Sequence, residues 1–341
     1  MAYNALDRTL HRLALGSVSV AEMSFDIDQR LSRGDPAGIA GGAHVFVCGF
    51  ARAGTTILMR RLHATGAFRS LAYADMPFVL APTLWGRISG GRANPGPAVE
   101  RAHGDGILVD ANSPEGLEEV FWRVFAGERY ISARDLRPHQ PDKALIDRFQ
   151  RYVAAILGDQ GTRYLSKNNN NVLRLPAISQ AFPKAAILVP FRAPLAHAQS
   201  LLRQHRRFTE RHQVDRFSRN YMTWLGHHEF GSDHRPFRLS AEVVHPEASD
   251  TLDYWLERWI EIYGWLLETA PPACTFICYE DLCADPRAWA RLCETLHLDD
   301  TGDEPDFVNR SAMMPATCTP GACLDRAEQI YDKLRSRALR S

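Results

Sequence analysis

The sequence predicts an α/β protein built on a mostly parallel central sheet with helices on both faces. Three observations carry that expectation. Val45-Phe46-Val47-Cys48, Ala186-Ile187-Leu188-Val189 and Thr275-Phe276-Ile277-Cys278 are short, unbroken apolar runs, the pattern of strands buried on both faces. Helix-patterned stretches separate the three runs. The first run closes on Gly49 and leads through a glycine-bearing loop into a helical segment, the strand–loop–helix context that a phosphate cradle needs.

In chain order, residues 1–42 carry two helix-like patterns and end in breakers, Gly34-Asp35-Pro36 through Gly41-Gly42, which predicts a helical N-terminal extension. The first strand follows, then a helix from about Thr55 to His63. Ser113-Pro114 reads as an N-cap with proline at the first helical position, opening a helix through Leu117, Val120, Phe121 and Val124. The second strand is preceded by Pro183 and followed by a helix from Pro194 to Gln204. Residues 205–246 are aromatic, histidine-rich and weakly periodic, and read as an insertion that serves something other than the sheet. Leu252, Trp255, Leu256, Trp259, Ile262, Tyr263 and Leu266 recur at helical spacing, which predicts a core-facing stripe before the third strand. At 341 residues the whole chain, 1–341, is expected to form one domain with insertions.

Composition narrows the function. The chain is 45% apolar and 23% charged with a formal net charge of +0, which gives no reason to expect nucleic acid or an anionic membrane as partner. A cationic tract from Arg203 to Arg219 is interleaved with Glu210 and Asp215 and reads as a solvated helical face. No stretch approaches the roughly 20 apolar residues that span a bilayer. The start has no basic cluster followed by an apolar run, and the seven cysteines are scattered, so a cytoplasmic location with reduced thiols is expected. Cys274, Cys278 and Cys283 lack zinc-ribbon spacing and read as buried small hydrophobes.

Gly49-Phe50-Ala51-Arg52-Ala53-Gly54-Thr55-Thr56 fits the G-x-x-x-x-G spacing of a phosphate loop, with Thr55 where an ATP-binding loop carries lysine. Kinases and ATPases use that lysine on the β- and γ-phosphates, so its absence counts against them. Arg52 can instead bring charge to a shorter anion.

Arg52-Ala53-Gly54-Thr55-Thr56 resembles the signature loop of the sulfotransferases that use 3'-phosphoadenosine-5'-phosphosulfate (PAPS), with Ala53 where many members have serine. Arg192 at a strand end and Ser200 eight residues on, in Phe191-Arg192-Ala193-Pro194-Leu195-Ala196-His197-Ala198-Gln199-Ser200, are similar to the family's second motif, with Ala193 where relatives are commonly acidic. Tyr164-Leu165-Ser166-Lys167-Asn168 resembles the family's lysine segment, and Tyr279-Glu280-Asp281-Leu282 its tyrosine-led motif. The resemblance spans roughly Val45 to Pro286.

This resemblance implies a P-loop-like sulfotransferase of the bacterial type. It implies that Arg52, Ala53, Gly54, Thr55 and Thr56 hold the phosphosulfate, that Arg192 and Ser200 hold the 3'-phosphate, and that Tyr279 contacts the adenine. Lys167 and Arg52 would stabilise the leaving oxygen, and cationic side chains would replace magnesium, so no metal is expected. A carboxylate base lies some two dozen residues beyond the loop's basic residue in members that use one, which points to Asp75. Asp75 is equally suited to stabilising the turn before Pro77. Other members use histidine, for which His103 is the counterpart, although its flanking glycines also make it a plain loop residue. His227 and His228 are adjacent and therefore point apart, which disfavours a shared metal and leaves an acceptor-pocket or surface position. The 205–246 segment would lie on the acceptor side; the resemblance implies a hydroxyl or amine on a small-molecule, carbohydrate or lipid acceptor, and the aromatic content from His205 to Phe237 suggests a ring-bearing or sugar one. Two other readings use the same pocket: a small-molecule kinase in which a distant lysine such as Lys167 replaces the missing one and Mg²⁺ is required, and a nucleotide-binding relative that has lost transfer.

Overall fold

The computed structural model describes residues 4–89, 98–100, 108–159, 163–241, 244–299, 307–308 and 322–339. Its N-terminal helices α1 (Ala5–Gly16), α2 (Val18–Leu31) and α3 (Pro36–Ile39) precede the first sheet strand, β1 (Val45–Val47). The order continues with α4 (Thr55–Ala64), β2 (Phe68–Arg69), α5 (Pro82–Ile88), a two-stranded antiparallel pair β3 (Val99–Glu100) and β4 (Leu108–Val109), α6 (Glu119–Tyr130) and α7 (Lys143–Leu157). Next come β5 (Arg163–Lys167), α8 (Leu175–Ala181), β6 (Ala186–Phe191), α9 (Pro194–Val214) and α10 (Arg216–Trp224). The chain then forms α11 (Leu252–Thr269), β7 (Cys274–Cys278), α12 (Tyr279–Ala284), α13 (Pro286–Leu296) and α14 (Ala322–Arg337).

Five strands form one parallel sheet in the order β2-β5-β1-β6-β7. All three apolar runs lie in it, as expected. Side chains alternate across the sheet, as the period of two requires. Phe46, Tyr164, Ile187 and Val189 join one core under α6, α7, α8 and α11, while Val45, Val47, Leu165 and Leu188 join another under α4 and α13. The order also creates a switch point. From β1 the chain crosses to β2 on one side, whereas from β6 it crosses to β7 on the other, so the connections after β1 and β6 part and leave a crevice at their carboxyl ends. Ligands of open α/β sheets sit in such a crevice.

Two local expectations change. The helix after β6 continues ten residues past Gln204 to Val214, because Leu201, His205, Phe208 and His212 keep one face buried at helical spacing. The helix expected to open at Ser113-Pro114 begins instead at Glu119. The Ser113 hydroxyl bonds Asp110, and residues 111–115 run beside 71–74, with Ala74 N–H donating to Ala111 O at 2.7 Å and Glu115 N–H to Leu71 O at 3.0 Å. Backbone pairing with a distant segment has overridden a local capping pattern.

Candidate active site

The loop between β1 and α4 is the centre of the site. Its conformation needs left-handed backbone at Arg52 (φ 69°) and Gly54 (φ 94°). At Gly54 a Cβ would meet the Tyr279 ring at 2.3 Å, so only glycine lets the loop approach that ring. At Arg52 the same region costs a side-chain-bearing residue roughly 1–2 kcal/mol, a strain that packing elsewhere must offset. Several contacts hold it. Arg192 Nη1 donates to Arg52 O at 3.2 Å, Arg52 Nε donates to Ser200 Oγ at 3.4 Å, and His197 Nε2 donates to Ala51 O at 2.7 Å. Burial lowers the His197 pKa to about 3, so its ring is neutral and carries its proton on the donating nitrogen. The Arg192 guanidinium also lies 5.2 Å from the Tyr279 ring centroid. The amino ends of α4 and of the 21-residue α9 both reach this cluster, so two helix termini and two guanidinium groups meet in one anion-favouring corner.

On the other side of Arg52 lies a cavity of about 390 Å³. Its inner end is polar: Arg52, Thr55, Thr56, Lys167, Asn169, Tyr73, Glu115, His227 and Glu229 border it. These groups are linked. Thr55 Oγ1 donates to Asn169 Oδ1 at 3.4 Å, and Asn169 Nδ2 donates to Glu229 Oε1 at 3.1 Å. Glu115 accepts from Tyr73 Oη and from Gly116 N–H, both at 2.8 Å, and His227 Nε2 donates to Gly116 O at 3.0 Å. Lys167 is the last residue of β5. At Gly116 a Cβ would stand 2.8 Å from Lys167 O and 3.2 Å from its Nζ, so this glycine makes room for the lysine. Phe208, Phe217, Tyr221, Met222, Leu225 and Phe230, from α9, α10 and the following turn, form a second wall, with Ala51, Val109, Leu117, Arg8, Arg211, Asp215 and Ser218 also bordering the cavity.

A buried polar network fixes the turn that presents Lys167 and Asn169. Arg174 and Glu119, both with fully buried side chains, pair at 2.7 Å, and Tyr130 also donates to Glu119. Glu119 accepts from Asn168 at 2.8 Å, while Glu118 accepts from Asn171 at 2.8 Å and from Tyr164 at 3.0 Å. The Arg174 guanidinium beside Glu119 holds its carboxyl below the usual range despite burial, and burial lowers the neighbouring His139 to about 3. Removing one partner of such a pair typically costs about 3–5 kcal/mol.

The sequence-predicted residues fall into two groups around Arg52. Arg52, Thr55, Thr56 and Lys167 face the cavity; Arg192, Ser200 and Tyr279 gather on the opposite side, beside Gly54 and the loop carbonyls. Asp75 is not on the cavity wall. It is buried in a short turn, where one oxygen accepts Ala72 N–H at 2.8 Å and the other meets Arg69 at 3.5 Å; burial raises its pKa. His103 lies outside the described residues. His227 and His228 do point apart, to Gly116 O and Asp233 O. Among the described residues no group of His, Cys, Asp and Glu is arranged to hold a metal, and no helix is long and apolar enough to cross a membrane. Sequence reasoning missed Glu115 and Asn169. Glu115 sits in the stretch taken for a helix start, and Asn169 follows directly on the lysine segment, which was its one available clue.

A family model described as the sulfotransferase family matches residues 44–235, more than half of the chain. Among solved structures, sulfotransferase STF1 from Mycobacterium tuberculosis is similar at 16% identity, covering 98% of this chain and 87% of that one, with a TM-score of 0.49. The sulfotransferase domain of the Synechococcus PCC 7002 olefin synthase is similar at 13% identity over 86% of this chain and 95% of that one, with a TM-score of 0.41. The corresponding figures for a sulfotransferase from Alicyclobacillus acidocaldarius are 14%, 86%, 93% and 0.39. No curated protein sequence matches this chain.

Proposed function

This chain belongs to the sulfotransferase family, and on that premise we propose that it moves a sulfuryl group from PAPS to a hydroxyl or amine of a small acceptor, by in-line transfer without a metal. The observation that carries the reading is the meeting of Arg52 with Arg192 and Ser200, residues 140 and 148 positions away in sequence. A guanidinium and a hydroxyl on one flank of the loop suit a phosphate that the ordinary 5'-nucleotides lack, the 3'-phosphate of PAPS. The loop's backbone N–H groups and the amino end of α4 suit the 5'-phosphosulfate. Tyr279 would pack against the adenosine.

Sulfuryl transfer requires little covalent work from the protein. The acceptor must be aligned with the sulfur, and the charge that grows on the bridging oxygen must be stabilised. Arg52, in the loop after β1, and Lys167, at the end of the adjacent β5, both border the cavity and are the cations for that role. The migrating SO₃ carries less negative charge than a phosphoryl group, so side-chain cations suffice where phosphoryl transfer uses magnesium.

Calorimetry and turnover in EDTA test the reading together. Adenosine 3',5'-bisphosphate should bind at least tenfold more tightly than adenosine 5'-monophosphate, and PAPS consumption should survive chelation. Binding that needs Mg²⁺ and prefers ATP would replace this reading with a phosphotransferase. Tight bisphosphate binding with no turnover on a broad acceptor panel would instead mark a nucleotide-binding relative.

A further inference from the structure

We infer that the acceptor is a flat, largely apolar ring system presenting one hydroxyl, and that His227 takes the proton from that hydroxyl. The inference rests on the sulfuryl-transfer reading above and goes on to the acceptor, which that reading leaves open.

The cavity sorts its chemistry by position. Next to the loop, polar groups converge from β5, the 115–116 turn and residues 227–229. The wall supplied by α9, α10 and the turn after them is aromatic. Phe208 and Phe230 lie parallel within 7° at 6.3 Å between centroids, and Phe217 and Tyr221 lie within 24° at 5.8 Å. Such walls favour a ring that stacks or meets them edge-on. A sugar would bring several hydroxyls against this surface, and each buried there without a partner costs on the order of 1–3 kcal/mol. At the far border Arg8 lies 5.0 Å over the Phe217 ring, and Asp215 accepts from Phe217 and Ser218 N–H. Polar partners for an acceptor hydroxyl therefore gather at the inner end, and the aromatic wall is left to an apolar ring face.

At that inner end His227 has the form of a base. The Gly116 carbonyl can only accept, so the nitrogen 3.0 Å from it, Nε2, carries the hydrogen. Nδ1 is then a bare lone pair, and no donor among the described residues reaches it. The two carboxylates nearby are otherwise committed, Glu115 to Tyr73 and Gly116 N–H, and Glu229 to Asn169. In the reaction, the hydroxyl proton passes to Nδ1 and the oxygen's electron pair forms the new O–S bond. The bond between sulfur and the bridging oxygen breaks, and its electrons leave on the 5'-phosphate. The resulting imidazolium is steadied by its Nε2–H bond to Gly116 and returns its proton to solvent.

The test uses the full chain with two probes, 2-naphthol and methyl glucoside. We expect 2-naphthol to bind the adenosine 3',5'-bisphosphate complex and to be sulfated with PAPS, and methyl glucoside to do neither. Preference for the glucoside, or no binding of 2-naphthol, overturns the ring assignment. His227→Ala should keep bisphosphate and naphthol binding while turnover falls roughly 10²- to 10⁴-fold. Free imidazole should restore part of the loss, and the acidic limb of the pH–rate profile should disappear, neither of which follows from a merely structural histidine. Wild-type turnover in the variant, or a loss that imidazole does not touch, overturns the base. If the wild-type protein fails to bind adenosine 3',5'-bisphosphate at all, the fault lies with the sulfuryl-transfer reading and not with His227.

Discussion

Replacing Arg192 by alanine separates recognition of a 3'-phosphate from support of the loop. The guanidinium contacts the Arg52 carbonyl at 3.2 Å and the Tyr279 ring at 5.2 Å. Its loss therefore loosens the loop for any nucleotide, by about the 1 kcal/mol of an ordinary hydrogen bond, which is roughly fivefold in affinity. A 3'-phosphate held by the same group adds charge-assisted bonds of about 1.5–3 kcal/mol each. At 1.4 kcal/mol per tenfold, Arg192→Ala should weaken adenosine 3',5'-bisphosphate by roughly 10- to 150-fold beyond any change in adenosine 5'-monophosphate. Titration calorimetry of both ligands against both proteins gives that ratio directly, with the circular-dichroism melt as a check on folding. Equal losses for the two ligands would mean that Arg192 only props the loop, and the 3'-phosphate assignment would fall.

Lys167→Ala should lower kcat and leave KM for PAPS within a few-fold, because charge on the bridging oxygen grows towards the transition state; a change confined to KM would show that the lysine only anchors the donor. Stability should fall as pH drops from 7 towards 4. Burial lowers His205 and His228 to about 4 and His139, His197 and His234 to about 3, so between those values and about 6.5 the unfolded chain binds protons that the native one does not. Asp28, raised by burial to about 6, opposes this with one proton and Asp75, which burial also raises, acts in the same direction, but the five histidines outnumber them. Each net proton contributes at most about 1.4 kcal/mol per pH unit, and a melting temperature that stays flat from pH 7 to 5 would refute the balance.

Where the fold was legible, the cause is local. The three apolar runs could be placed as strands because a segment buried on both faces needs an unbroken hydrophobic stretch whatever its neighbours are, and they appear as Val45–Val47, Ala186–Phe191 and Cys274–Cys278. The loop after β1 was legible for a similar reason, since Gly49 and Gly54 permit its positive-φ backbone within a few residues, whereas the left-handed Arg52 is held there by tertiary contacts. β2 was not, because two residues, Phe68 and Arg69, leave no periodicity to detect. Ser113-Pro114 carried a correct local pattern that the pairing of residues 111–115 with 71–74 overrode.

By itself, then, the sequence determined the three apolar strands, the strand–loop–helix that follows the first of them and, through motif resemblance, the family. The tertiary structure alone decided that Asp75 braces a turn while His227 stands on the cavity. It also decided that Glu115 and Asn169 border the cavity. Those placements depend on contacts such as His227 with Gly116, 111 residues apart, and Asn169 with Glu229, 60 apart. Propensity, capping and hydrophobic period act over one or two turns of chain. Which side chains converge on a substrate is set by the strand order and by how α9, α10 and the 115–116 turn pack over the carboxyl ends of β1 and β5, and no local preference encodes that packing.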